Sequence, residues 1–252
     1  MKTWKRFLAL GLVTIITAMM FVGCGSSDIS EGVAKNDYPI TINGVTLNSQ
    51  PTGVAVLSQN IADVILTGGF EATLKAKSED CTQEDLSILP NLTIDDAQEM
   101  KSLGVTLVLV DEAPTEQQTA ALQAQGIQVL VISPAKSRDD CKRLYREVGS
   151  AMVGGNTGYT KGEKACDNVF YTLDDITRLV PSTGTQYTAC YLYDLEGHAA
   201  TGNSLFGSLI SYAGFFNSFG NELNNEIDIN TLQVANPYYI FCATGLKEQL
   251  EQ

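Results

Sequence analysis

Basic residues are scarce in this chain. Lysine and arginine number 16 against 29 aspartates and glutamates, so its 252 residues carry a formal charge of −13. A surface of that sign repels phosphate backbones and anionic headgroups, which excludes nucleic acid as a partner. Histidine is nearly absent. His198 stands alone, so a zinc or manganese site built on several histidines cannot form. No GxSxG nucleophile elbow occurs, the nearest serine context being Gly202, Asn203, Ser204, Leu205, and there is no P-loop and no GxGxxG. The many acids are spread along the chain rather than paired, which leaves two-carboxylate catalysis without support. The expectation is a protein that is not an enzyme and carries no cofactor or resident metal. Long apolar runs are missing too. The longest, residues 7–22, is interrupted by Gly11, Thr14 and Thr17 and is shorter than the roughly 20 residues a spanning helix needs.

That run follows a basic head with Lys2, Lys5 and Arg6, and gives way at once to the polar Gly25, Ser26 and Ser27. Basic head, short apolar stretch and small residues make a secretory signal. It ends in Gly23 and Cys24, which resembles the lipobox of bacterial lipoproteins, where the cysteine is acylated and the chain is cut before it. The resemblance implies a signal peptide over 1–23 and a lipid on Cys24 that holds the protein to the extracellular or periplasmic face of a membrane. Five cysteines then remain: Cys81, Cys141, Cys166, Cys190 and Cys242. An odd, widely spaced set without CxxC is not a disulfide framework. Cys190 and Cys242 lie in strand-like runs and read as buried thiols.

Residues 24–37 are small and polar without periodicity, and read as a flexible tether. Residues 40–47 alternate around Asn43 and Gly44, a strong hairpin signal. From there strands and helices alternate. Strands are expected at 54–57, 73–76, 105–110 and 127–132, with helices over 61–66, 114–125 and 138–152. The first helix is capped by Ser58 or Asn60 and stopped at Gly68 and Gly69. The strand at 105–110 is apolar at nearly every position, as a parallel strand buried on both faces must be. The helix at 138–152 presents Cys141, Leu144, Tyr145, Val148 and Met152 on one face. A long helix is expected over 160–179, with Cys166, Val169, Phe170, Leu173 and Ile176 as its stripe and Pro181 and Gly184 ending it. The pattern then restarts with a strand at 188–193, a helix over 204–212 capped by Ser204, a short helix over 228–234, and a strand at 238–242. The fold class is therefore α/β, with two doubly wound lobes joined by one long helix. The units are an N-terminal lobe over 38–155, the linking helix over 156–183 and a C-terminal lobe over 184–252.

In open α/β sheets ligands sit beyond the carboxyl ends of the strands. Those ends select Ser58, Gln59, Asn60, Asp111, Glu112 and Ser133 on the first lobe. On the second they select Tyr193, Asp194, the loop with His198 and Asn203, and Thr244. Few cations lie near this rim. Lys77, Lys136 and Arg138 are the nearest, which disfavours a strongly anionic cargo.

The organisation resembles the substrate-binding proteins of bacterial ABC importers, in the helical-backbone class for vitamin B12, iron-siderophores and haem. The likeness lies in the hairpin before Pro51 with the strand that follows it, in Leu89–Pro90 before the 103–110 segment, and in 125–131. Residues 202–210 with Ala213 and Gly214, and 228–242, complete it. It implies a lipid-anchored carrier that holds a siderophore, haem or corrinoid between its lobes and delivers it to an ABC-transporter permease. If the cargo is haem, His198 or Tyr193 could serve as an axial ligand. In two respects the chain departs from the family. The glutamates that dock each lobe onto the permease align with Gln98, flanked by Asp96 and Glu99, and with Asn230, near Asp228; a neutral amide cannot form the same ion pair. The second lobe also ends early relative to the family and reads as incomplete at its C-terminus, as in a truncated chain or, alternatively, a naturally short lobe. The alternative implied is a surface lipoprotein of the same fold, with a binding or sensing role, that no longer docks.

Overall fold

The structure is a computed structural model that describes residues 27–28, 32–179, 186–242 and 245–250. The signal segment, Cys24, Pro181, Gly184 and Thr244 lie outside the described residues. No described helix is long and apolar enough to cross a membrane.

The first lobe is built on a four-stranded, fully parallel sheet. Its strands are β4 (Val54–Val56), β5 (Leu74–Lys77), β6 (Leu107–Val110) and β7 (Gln128–Val131), in the order β5-β4-β6-β7. The two central strands are buried at every position, as their unbroken apolar sequences require. Helices α1 (Gln59–Gly68), α2 (Ala97–Ser102) and α3 (Glu116–Ala124) connect the strands. Ser58 caps α1 by accepting from Ile61 N, and Gly69, at φ 66°, closes it from the left-handed region. Thr115 and Gln118 cap the start of α3 reciprocally.

Ahead of this sheet stands the hairpin of β2 (Ile40–Ile42) and β3 (Val45–Leu47), whose turn residues Asn43 and Gly44 both take positive φ. A two-residue β1 (Ser27–Asp28) pairs with β2 in parallel. Of the stretch 24–37 read as a flexible tether, the described end, 32–37, is packed against the lobe. Ala34 is buried in the core, and Asp37 is bonded to the start of the long helix.

Helices α4 (Arg138–Val153) and α5 (Gly155–Leu179) form an antiparallel pair that turns at Gly154. Helix α5 starts at Gly155, five residues before the expected start at residue 160. The reason is non-local: Thr157 N donates to Asp37 Oδ1 at 2.8 Å and Gly155 N to Asp37 O at 2.8 Å, so a residue over a hundred positions upstream caps the helix. The pair packs backbone to backbone at Gly149 and Gly158, where a Cβ on either would overlap the carbonyl of the other. Charged bridges lace its outer side. Lys142 reaches Glu163 at 3.2 Å and Asp167 at 3.1 Å, and Arg146 pairs with Glu163. The expected stripe of α5 is only half correct: Cys166 and Phe170 are buried, but Val169 is 40% and Ile176 52% exposed; Ile176 lies beyond Asp174, the level of the first residue of α4, whereas Val169 lies alongside α4 on a face turned to solvent.

The second lobe carries a separate parallel sheet of β8 (Thr188–Leu192), β9 (Phe216–Asn217) and β10 (Tyr239–Cys242), ordered β10-β8-β9. Helix α6 (Leu205–Tyr212) is capped by Ser204 as expected. The two-residue β9 has no signature in the sequence. The short helix expected over 228–234 is α7 (Thr231–Ala235), set back because Asp228 Oδ1 accepts from Asn230 N at 3.0 Å and Nδ2 at 2.8 Å and holds a turn there. A last turn, α8, spans Lys247–Leu250. The β10 edge leaves Tyr239, Ile240 and Phe241 more than 40% exposed. Cys190 is buried and its thiol is pushed up to about 12 by that burial, whereas Cys242 is half-buried. The two sheets are distinct, and α5 runs between them. This is the two-lobed α/β architecture read from the sequence.

Candidate functional site

Strand order decides where each lobe can hold a ligand. In the first lobe the chain leaves β4 for β5 on one side, then crosses to β6 and β7 on the other. The connections diverge between β4 and β6, and such a switch point opens a crevice at the carboxyl ends of the strands. The structure has a cavity of about 650 Å³ there, floored by Leu57, Leu92, Ile94 and Val110 and walled by Glu79, Asp80, Asp111 and Glu112. In the second lobe the chain leaves β8 for β9 and returns to β10 on the far side, so its switch point lies at the ends of β8 and β10, beside Tyr193.

Of the residues selected from the sequence, Asp111 and Glu112 line the cavity. Ser58 does not; it is 4% exposed and turned inward, donating to Asp111 Oδ2 at 2.6 Å while it caps α1. It positions Asp111 rather than facing a ligand. Gln59 and Asn60 are exposed in the first turn of α1, outside the lining. Ser133 sits on the exposed loop after β7, and its carbonyl accepts from Arg143 Nη2 at 3.0 Å. Glu79 and Asp80 were not among the selected residues. They follow β5, whose Leu-Lys-Ala-Lys sequence is a weak strand signal, and recognising that strand firmly would have pointed to them.

On the second lobe Tyr193 packs edge-on to Tyr191 and Phe206, with ring centres 5.3 and 5.9 Å away, and Tyr191 and Phe206 stack at 4.9 Å. Phe206, in the first turn of α6, is 43% exposed. Burial pushes the Tyr193 phenol above its ordinary range, an effect that contact with the Ser204 hydroxyl partly offsets. Tyr191 and Phe206 were not selected from sequence, since an aromatic at helical or strand spacing reads first as core. His198 is tied to its own loop: its Nδ1 lies 2.6 Å from Asp194 Oδ2, and its backbone N donates to Asp194 Oδ1 at 3.0 Å. That pairing orients the ring and leaves Nε2 as the nitrogen pointing away from Asp194. Asn203 is a loop clamp, its Oδ1 accepting from Thr201 Oγ1 and Asn224 N, both at 2.9 Å. No group of three or more metal-ligating side chains occurs among the described residues.

None of the residues aligned with permease docking lines this cavity itself, but Asp96 borders it through Thr93, which does. Gln98 and Glu99 are exposed on α2. Asp96 accepts from Thr93 Oγ1 and Thr93 N, both at 2.7 Å, and those bonds hold its carboxyl below the ordinary range. Asn230 and Asp228 are exposed ahead of α7.

No family model and no curated protein matches the sequence. Solved structures do. One similar structure is a possible iron-binding periplasmic solute-binding protein of Staphylococcus epidermidis, with TM-score 0.63 and 14% identity over 78% of this chain and 79% of that one. The periplasmic heme-binding protein HutB of Vibrio cholerae gives 0.62 and 15%, over 78% of each chain. The periplasmic vitamin B12-binding protein BtuF of Vibrio cholerae gives 0.55 and 14%, over 79% of each. At these identities the likeness establishes the fold. It is the one shared by periplasmic solute-binding proteins, and the resemblance read from the sequence holds at that level.

Proposed function

We propose that the protein is the extracytoplasmic solute-binding component of an ABC importer, held to the membrane by a lipid on Cys24. It captures an iron-siderophore, haem or corrinoid between its two lobes and hands it to a permease. The observation that carries this reading is the cavity at the first lobe's switch point, in a fold whose solved examples include proteins described as binding iron, heme and vitamin B12. The units expected from sequence serve the same reading: an N-terminal lobe over 38–155, a linking helix and a C-terminal lobe from 184. Titration calorimetry of the purified protein against a ferric siderophore panel, haemin and cobalamins tests it. Binding of one cargo supports carriage; a folded protein that binds none sinks it.

A second reading keeps the lobes and drops the permease. Gln98 and Asn230 favour it, because they place neutral amides where an arginine of the permease would need a carboxylate. The acids beside those positions are Asp96, whose carboxyl accepts from Thr93, Glu99, and Asp228, whose carboxyl accepts from Asn230. Cargo binding without stimulation of ATP hydrolysis by a candidate ABC permease and ATPase from the same organism, reconstituted in liposomes, supports this alternative. Stimulation removes it.

A further inference from the structure

The switch-point cavity is one-signed. Glu79 and Asp80 on the loop after β5, with Asp111 and Glu112 after β6, make its polar wall, and no lysine or arginine lines it. The cations nearest the strand ends are held by other partners, Lys77 at the cavity's own rim through the carbonyl of Ser78, which lines it. Lys77 is 7% exposed, and its Nζ donates to Asn91 Oδ1 at 2.7 Å and to Ser78 O at 3.3 Å. Arg138 is held by Asp174 and Tyr212, and Arg143 by Glu147 and the Ser133 carbonyl. Lys136 is exposed on the loop after β7, outside the lining. The loop after β8 on the second lobe, outside this cavity's lining, carries Asp194 and Glu196, and the one histidine there is bonded to Asp194.

Strand order locates the site; the acids determine which sign of charge it accepts. We propose that the cargo is a neutral or cationic metal chelate or corrinoid, which turns its positive or hydrogen-bond-donating face to the acidic wall of the first lobe, and that polyanionic cargoes are rejected. This rests on the carrier reading. A ligand carboxylate or catecholate entering the cavity meets several like charges at once; three of the four are exposed, so solvent and salt screen each repulsion and the discrimination comes from their sum. A cation meets the same field as attraction, and the arrangement discriminates by repulsion as much as by fit.

The test is titration calorimetry with probes of differing charge: the cationic ferric complex of desferrioxamine B, neutral ferrichrome, cationic aquacobalamin, anionic haemin and trianionic ferric enterobactin. The best neutral or cationic probe is expected to bind at least about tenfold more tightly than either anionic one, with the preference for a cationic probe shrinking as salt is added. Glu79→Gln, Asp80→Asn and Glu112→Gln combined change three exposed residues, and are expected to narrow the ratio while thermal unfolding stays unchanged. Haemin or ferric enterobactin binding as tightly as the best neutral or cationic probe overturns the proposal and leaves the carrier reading standing, as does a triple variant with an unchanged ratio. If the folded protein binds none of the five, the carrier reading falls and the charge preference with it.

Discussion

Replacing Ser58 by alanine removes two interactions from one buried oxygen. Ser58 Oγ accepts from Ile61 N at 3.3 Å, which caps α1, and donates to Asp111 Oδ2 at 2.6 Å across the switch point. Loss of a serine cap costs about 1 kcal/mol. Loss of the donor to Asp111 adds about 1 kcal/mol more, the low end for a charged acceptor because Asp111 is only half-buried and water can replace part of the bond. The expected loss is therefore about 2 kcal/mol, which in a chain of this size lowers Tm by about 4–8 °C. Ser58→Gly separates the two interactions, since glycine at an N-cap costs only a few tenths of a kcal/mol. Most of its effect then belongs to Asp111. Urea unfolding of Ser58→Ala, Asp111→Ala and the double variant should give a coupling of about 1 kcal/mol. A coupling near zero, or an unchanged Tm in Ser58→Ala, refutes the assignment of Ser58 as the residue that positions Asp111.

At the α4–α5 seam, Gly158→Leu is expected to cost about 3 kcal/mol or more, because the new side chain overlaps the Gly149 backbone rather than a movable side chain; urea denaturation measures it. The hydrogen bond to Arg146, together with Lys142, holds the Glu163 carboxyl below its ordinary range. A carboxyl depressed in the folded state contributes stability above its unfolded value and loses it as pH falls through the folded value. Glu163→Gln is therefore expected to destabilise the protein at neutral pH and to converge with the parent in acid, as read by urea midpoints across a pH series. Phe206→Ala removes the half-exposed member of the aromatic trio beside the second switch point. If that trio supports the cargo, cobalamin or siderophore affinity falls by about tenfold, as one lost ring contact would give, with little change in Tm.

Local signals carried most of the fold. Asn43 with Gly44, Ser58 with Gly69, and the apolar 107–110 run each encode their element within a few residues, and all are found where expected. What was missed is non-local. Asp37 caps a helix that begins at Gly155, so no window around residue 155 could place that start. Strand β9 is two residues long and exists because β8 offers it a partner. At the site, strand ends found Asp111 and Glu112 because β6 is unmistakable. They missed Glu79 and Asp80 because β5 carries two lysines, and they took Ser58 for a ligand contact because position alone does not say which way a hydroxyl turns. Strand order, which puts β4 between β5 and β6 and so locates the crevice, depends on pairing between segments and is absent from any one of them.

The same non-local bonding bears on how far the lobes can move. Arg138, at the start of α4, donates to Asp174 of α5 at 3.1 and 3.0 Å and to Tyr212 Oη of α6 at 2.6 Å, with its guanidinium 4.4 Å from the centre of the Phe170 ring. Thr177 Oγ1 adds a donor to the Tyr212 carbonyl at 2.9 Å. Three helices from the two lobes and their connector thus meet at one side chain, and a hinge at the end of α5 cannot open without breaking these bonds together. Closure on cargo is therefore expected to be a small shear rather than a wide hinge motion. Arg138→Met keeps much of the stem and removes the fork. It should raise amide exchange in α6 while leaving β4 and β6 protected, because their burial is independent of the junction. Equal loss of protection in both lobes would mean the junction holds the whole fold rather than the relation between its halves. A rotation of several tens of degrees between free and loaded parent protein would show that it holds neither.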